Sequence, residues 1–286
     1  MTKAADLIEQ GLIHHRKGQI ALAMDRYTEV LRIDPRNADA LYYIAVVACQ
    51  EGQFQQGIDL ARRSLSFQRG QARAHNLIGK ALHRQGNIKD ALANFDLALE
   101  CDVNFAEAYG NRANMLSALG RHAEALSSFD RALEFDPKSV GDWLNRGTTL
   151  LAMRRADEAI ASYDRALALD PEFAEGHFNR ANALQDSGRL AEALEGYDRA
   201  LALAPKLAEA HLARGATLKR LDRLEEALAS VDQAIALRPE LATAHKGRAS
   251  VLAALGREEE ARAARAQADE LEAKAAAAKA EAGGVS

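Results

Sequence analysis

Apolar residues return along the chain at spacings of three and four, the period of an amphipathic helix. Between residues 140 and 173, Trp143, Leu144, Gly147, Leu150 and Leu151 recur in this way. A turn falls near Arg154 and Arg155, and Ala159, Ile160, Tyr163, Ala166 and Leu167 resume the pattern. Asp170-Pro171 closes the stretch, because the residue before a proline avoids the right-handed helical region. The pattern predicts two helices joined by a short turn.

The same unit recurs through the chain. Pro137, Pro171, Pro205 and Pro239 follow one another at intervals of 34, and Pro35 lies three such intervals before Pro137. With Ala4 as repeat position 1, the prolines occupy position 32 and other columns fall into line. Position 8 reads Gly11, Ala45, Gly79, Ala113, Gly147, Ala181, Gly215 and Ala249, and position 20 likewise holds only Gly or Ala, from Ala23 and Gly57 to Ala261. Such residues suit places where two helices approach closely. Position 15 is Gly18, Gly52, Gly86, Gly120, Gly188 and Gly256 in six of eight copies, a helix C-terminal signal. Seven repeats are expected at 4–37, 38–71, 72–105, 106–139, 140–173, 174–207 and 208–241. One helix pair cannot bury its apolar face alone, and stacking on neighbours completes the core. An eighth, degenerate repeat and polar capping helix occupies 242–282, with Arg265 and Asp269 where apolar columns run earlier. Residues 283–286 are expected to form a disordered tail.

In one copy Tyr109, Ala113, Leu116, Gly120, Ala125, Phe129, Ala132 and Pro137 carry a pattern that resembles the tetratricopeptide repeat (TPR) family, and the resemblance covers nearly the whole chain. It implies an all-α, right-handed superhelical solenoid of antiparallel helix pairs whose first helices line a concave groove for peptides or proteins. Repeats 2 and 3 depart from the pattern, with Arg69 and Val103 at the proline position and Ala61 in the aromatic column, so looser joints are expected there. Repeats 4 to 6 are similar to the TPR arrays of O-GlcNAc transferases and bacterial glycosyltransferase-linked proteins. The shared feature is asparagine at position 6, here Asn111, Asn145 and Asn179, with Asn114 and Asn182 at position 9. The resemblance implies that these carboxamides hold a peptide backbone. A carboxamide both donates and accepts, so it pairs with a peptide group whatever the side chain. No transferase domain is recognisable in the sequence.

Composition adds limits. The chain is 48% hydrophobic, 27% charged and 5% aromatic, with net charge −4 and pI near 6.1, which argues against a nucleic-acid partner. The longest apolar run, Ala40–Cys49, is too short to span a bilayer. The N-terminus does not read as a signal peptide. Cys49 and Cys101 lie in no metal spacing, which suits a reduced, cytoplasmic protein.

Several columns bear on chemistry. Arg112, Arg146, Arg180, Arg214 and Arg248 at position 7 are expected to pair with Asp96, Asp130, Asp164, Asp198 and Asp232 at position 25 of the same or the adjoining repeat. Lys80, His83, Arg84, Gln185, Lys219 and Arg220 on first helices are candidates to choose among bound sequences. The five-residue Lys-Asn-Asn-Lys-Arg clamp that some TPR domains use for a C-terminal carboxylate cannot be placed on three successive repeats. His75, His177, His211 and His245 share position 4, and their separation is too great for one metal ion. No catalytic motif occurs. The expected protein is therefore a non-catalytic scaffold for a protein or peptide, needing no cofactor or metal. Alternatives are a substrate-recruiting arm for a separate glycosyltransferase-type enzyme, or a self-assembling structural protein. It is expected to be a monomer, with self-association open through Leu7, Ile8, Leu12 and Ile13 at the N-terminal end.

Overall fold

The computed structural model describes residues 2–283 and shows sixteen α-helices, with no strand among the described residues. They form two compact units divided between Asp142 and Trp143. The first holds α1 (Lys3–Arg16), α2 (Ile20–Ile33), α3 (Ala38–Gln50), α4 (Phe54–Phe67), α5 (Ala72–Arg84), α6 (Ile88–Cys101), α7 (Ala106–Ala118) and α8 (His122–Phe135). Helix α9 (Val140–Ala152) contains the division. The second unit continues with α10 (Ala156–Leu169), α11 (Ala174–Asp186), α12 (Leu190–Leu203), α13 (Ala208–Arg220), α14 (Leu224–Leu237), α15 (Ala242–Ala254) and α16 (Glu258–Gly283).

Within each unit, neighbours in sequence pack on one another, and the first helices of adjoining pairs also meet: α3 with α5, α11 with α13, and α13 with α15. The first helices therefore gather along one face of each unit.

Two turn chemistries repeat. Inside each pair the chain leaves the first helix through a left-handed residue at position 15. Six of these are glycines with φ from 71° to 82°. The other two, Arg154 and Asp222, adopt φ 59° without glycine. Between pairs the second helix ends on an extended residue such as Asp34 or Asp170. The carboxylates of Asp34, Asp102, Asp136 and Asp170 accept from the backbone N–H two residues on, an Asx turn. Proline follows at three of these four, where it fits because no helical N–H is needed. Helices α4 and α6 end without a following proline, at Phe67 and Cys101.

The small columns lie where helices touch. Ala23, Ala45, Ala91, Ala113, Ala125, Ala159, Ala181, Ala193 and Ala227 are fully buried. Opposite them lie the aromatics of position 24, with Tyr27, Phe95, Phe129, Tyr163 and Tyr197 all within 1% of complete burial. At Gly79 a Cβ would stand 2.6 Å from Phe95 Cε1, and at Gly147 2.6 Å from Tyr163 Cε1. Glycine there admits the ring edge. On α16 only Ala261, Ala264 and Ala268 are buried among the described side chains. Leu271 is half-buried, the other described side chains are exposed, and Glu272 pairs with Lys246 at 2.6 Å. Of the expected tail, Gly283 ends α16 and 284–286 lie outside the described residues.

Four of the expected arginine–aspartate pairs form within the two units. Arg112 donates to Asp96 at 2.6 Å in the first unit. In the second, Arg180 meets Asp164 and Arg214 meets Asp198 at 2.6 Å, and Arg248 meets Asp232 at 2.8 Å. Each arginine reaches back to the second helix of the preceding pair. Arg112 also donates to Ser128 Oγ at 2.6 Å, and Arg146 to Ser162 Oγ at 2.7 Å, on the following helix. Arg112 thus ties three helices together. The histidines serve the same joints. Rings of His177, His211 and His245 bond the carbonyls of Pro171, Pro205 and Pro239 at 2.8–3.1 Å.

Candidate functional site

The first-helix face of the first unit changes character along its length. On α3, Tyr42 and Tyr43 stand edge to face, and Tyr43 stacks on Tyr27 at 5.4 Å. Arg73 of α5 lies 4.5 Å over the Tyr42 ring, donates to Tyr43 Oη at 3.1 Å and pairs with Asp39. Lys80 is held by Glu107 at 2.8 Å. His83 and Arg84 are exposed, and no hydrogen bond or ion pair engages either side chain among the described residues. Asn111, half-buried on α7, donates its Nδ2 to the Oδ1 of Asn76 at 2.9 Å. Asn76 is itself 4% exposed. That leaves the Oδ1 of Asn111 as an acceptor. Asn114 is half-buried on the same helix.

The second unit carries Asn145, Asn179, Asn182, Gln185, Lys219 and Arg220. Asn145 and Asn179 are half-buried. The carboxamide of Asn179 makes no hydrogen bond among the described residues, so its donor and acceptor are both open. Asn182 is different. Its Oδ1 accepts from Tyr197 Oη at 2.7 Å, and burial pushes the Tyr197 phenol above its ordinary pKa, keeping it a donor. Gln185 Oε1 lies 3.2 Å from the same hydroxyl and accepts from Thr217 Oγ1 at 2.6 Å. Arg220 donates to the Gln185 carbonyl at 3.1 Å, and Lys219 donates to Ser250 Oγ at 2.5 Å.

The residues expected to select a partner therefore divide. Lys80, Lys219, Arg220, Gln185 and Asn182 already hold other parts of the chain, whereas Asn179, His83 and Arg84 do not. A residue absent from the sequence reading, Asn76, shares the Asn111 hydrogen bond. It sits one position before the asparagine column, so a search along position 6 passes it by. Among the described residues no group of histidine, cysteine, aspartate and glutamate is placed to hold a metal, and no helix is long and apolar enough to cross a membrane.

Four matches to tetratricopeptide repeat family models fall on residues 14–81, 106–139, 144–208 and 208–241. A probable UDP-N-acetylglucosamine–peptide N-acetylglucosaminyltransferase SPINDLY of Hordeum vulgare is 27% identical over 112 residues, 37% of this chain and 12% of the relative. The chain thus spans about an eighth of that protein. Among solved structures, YrrB, described as a TPR protein with an unusual peptide-binding site, superposes with TM-score 0.57 at 26% identity. That match covers 64% of this chain and 95% of YrrB. Pseudomonas aeruginosa PilF superposes with TM-score 0.66 at 20% identity, covering 75% of this chain and 97% of PilF.

Proposed function

We propose that this chain, which belongs to the tetratricopeptide repeat family, is a non-catalytic adaptor that holds an extended peptide segment of a partner protein on its first-helix faces. The observation that carries this reading is Asn179: a half-buried carboxamide whose donor and acceptor are both uncommitted. A peptide group offers the matching acceptor and donor. Asn111 adds an acceptor in the first unit, and Asn145 stands in the same sequence column in the second. The peptide-binding site named for YrrB supports the same kind of ligand. Ordering an unfolded segment costs entropy, so affinity should lie around the micromolar range. The SPINDLY match supports a second reading, in which the chain recruits substrates for a separate glycosyltransferase-type enzyme.

The test is affinity capture from source-cell lysate with wild type and an Asn111→Ala, Asn145→Ala, Asn179→Ala variant of unchanged helicity. Proteins held by wild type and released by the variant are expected. Sugar-transferase activity in that fraction would favour the second reading. Identical retention by both forms would remove the asparagines from the mechanism.

A further inference from the structure

We propose that a cleft between α3 and α5 in the first unit is a recognition site separate from the asparagines, and that it takes one aliphatic side chain of an acidic peptide segment. The inference rests on the scaffold reading and names the chemistry of one of its ligands. The cleft has a volume of about 380 Å³, within the roughly 300–1,000 Å³ range of ligand pockets. Val46, Phe54, Leu77 and Ala81 give it apolar walls.

Cys49 completes the wall. A Cβ on Gly57 would lie 2.2 Å from Cys49 Sγ, so the missing side chain of α4 makes room for the sulfur. Burial raises the thiol's pKa, and the neutral thiol behaves as a small apolar group. At position 6 this stretch has Tyr43 and Leu77 in place of asparagine. Backbone clamping by carboxamides is therefore not what these repeats offer.

The rim is cationic. Lys80 and Arg84 line the cleft, and no carboxylate does. The unit's other first-helix cations are largely neutralised, Arg73 by Asp39 and Arg112 by Asp96. Lys80 is held by Glu107. Arg84 is exposed and carries no partner among the described residues, and His83 stands beside it in the same condition. An uncharged apolar ligand would fill the walls and leave the guanidinium uncompensated. A purely acidic ligand would leave the walls wet. A segment with a leucine-like side chain beside aspartate or glutamate satisfies both.

The probe is a short fluorescent peptide with one leucine between aspartates, titrated into the full chain by anisotropy. Saturable binding is expected. It should weaken about tenfold when the peptide's leucine becomes alanine, when its aspartates become asparagines, or in Arg84→Glu. Arg62→Glu, on exposed surface of α4 away from the cleft lining, is the charge control. The peptide should also slow alkylation of Cys49, read by mass spectrometry, while the exposed Cys101 reacts at its usual rate. No saturable binding, binding indifferent to Arg84→Glu, or an unprotected Cys49 would overturn the assignment. Failure of the scaffold reading shows separately, as a lysate capture that the asparagine variant leaves unchanged.

Discussion

Replacing Arg154 with glycine should stabilise the second unit. Arg154 occupies the turn between α9 and α10 at φ 59°, a position filled by glycine in six other pairs. An L-residue there costs roughly 1–2 kcal/mol because Cβ crowds the following carbonyl. Glycine removes that cost but enlarges the unfolded ensemble, which returns roughly 0.4–1 kcal/mol. The side chain of Arg154 is exposed and makes no hydrogen bond or ion pair among the described residues, so its removal sacrifices neither. The net gain should be about 0.5–1 kcal/mol. Asp222 has the same φ, but a short polar side chain tolerates the left-handed region better. Asp222→Gly should therefore gain less.

Hydrogen exchange gives the local reading. The N–H of Arg155 donates to the Leu150 carbonyl at 2.9 Å across this turn. In Arg154→Gly its exchange should slow about threefold, the factor that about 0.7 kcal/mol represents. Urea melts followed by circular dichroism give the global reading. The reverse substitution, Gly120→Arg in the first unit, where φ is 73° and nothing would touch the new Cβ, should cost a similar amount. Faster exchange in Arg154→Gly together with a harmless Gly120→Arg would refute the strain argument, because then backbone conformation would not be what sets the turn's energy.

Three further outcomes follow. Arg112→Ala should lower stability by about 1–2 kcal/mol in urea melts, because it severs links to both Asp96 and Ser128. Arg121→Ala, which removes only an exposed pair with Glu124, should leave the urea midpoint where it is in wild type. Burial lowers the pKa of His75 while Asn94 and Glu100 oppose the shift, so its neutral form is favoured in the fold. Its contribution is fully present above the unfolded value of about 6.5 and is lost as pH falls below that toward the folded value. Wild type and His75→Gln should therefore have pH-dependent urea midpoints that diverge only below about pH 6.5, and parallel curves would reject this. Asn182→Ala should cost only about 0.5–1.5 kcal/mol, because the buried Tyr197 hydroxyl loses its 2.7 Å acceptor but keeps Gln185 Oε1 at 3.2 Å. Asn179→Ala, with no such bond to lose, should melt like wild type while binding peptide less well.

The fold class was legible because repetition multiplies weak signals. One Gly or Ala facing a buried ring says little, but the same residue class in every copy of positions 8 and 20 predicts a helix contact. The ion pairs were legible for the same reason, since Arg112 and Asp96 belong to columns. What escaped is what does not repeat. Asn76 has no counterpart at position 5 in other copies, so nothing marked it as the partner of Asn111. The cleft beside Leu77 depends on Gly57 meeting Cys49 in one pair alone. The left-handed turns at Arg154 and Asp222 look from the sequence like missing signals, yet the chain keeps the conformation there. The helices on either side fix the path, and the residue accepts the strain. Side chains such as Lys80 and Lys219 were placed on the right helices, but their ion pair and hydrogen bond, with Glu107 and Ser250, depend on geometry between repeats that no column reveals.

Energy accounting separates the roles of the two kinds of first-helix residue. A hydrogen bond that replaces one to water gains roughly 0.5–1.5 kcal/mol. With one donated and one accepted bond to a peptide group, Asn179 can contribute about 3 kcal/mol, and Asn111, whose Oδ1 and second Nδ2 hydrogen remain open, a comparable amount. Micromolar binding needs about 8 kcal/mol net, after a cost of roughly 4–15 kcal/mol for lost freedom. In the proposed binding, carboxamides alone would therefore set the direction and register of a backbone without holding it. The remainder must come from buried apolar side chains, at roughly 1.5–3 kcal/mol each. Each unit has a place for one beside its polar groups. In the first it is the cleft walled by Val46, Phe54 and Leu77. In the second, Phe178 adjoins Asn179 in sequence and packs at 6.0 Å from the Tyr197 ring, half-buried. Partner choice should accordingly follow the apolar side chains of the ligand at each unit more than its hydrogen-bonding capacity, since every peptide backbone has the latter.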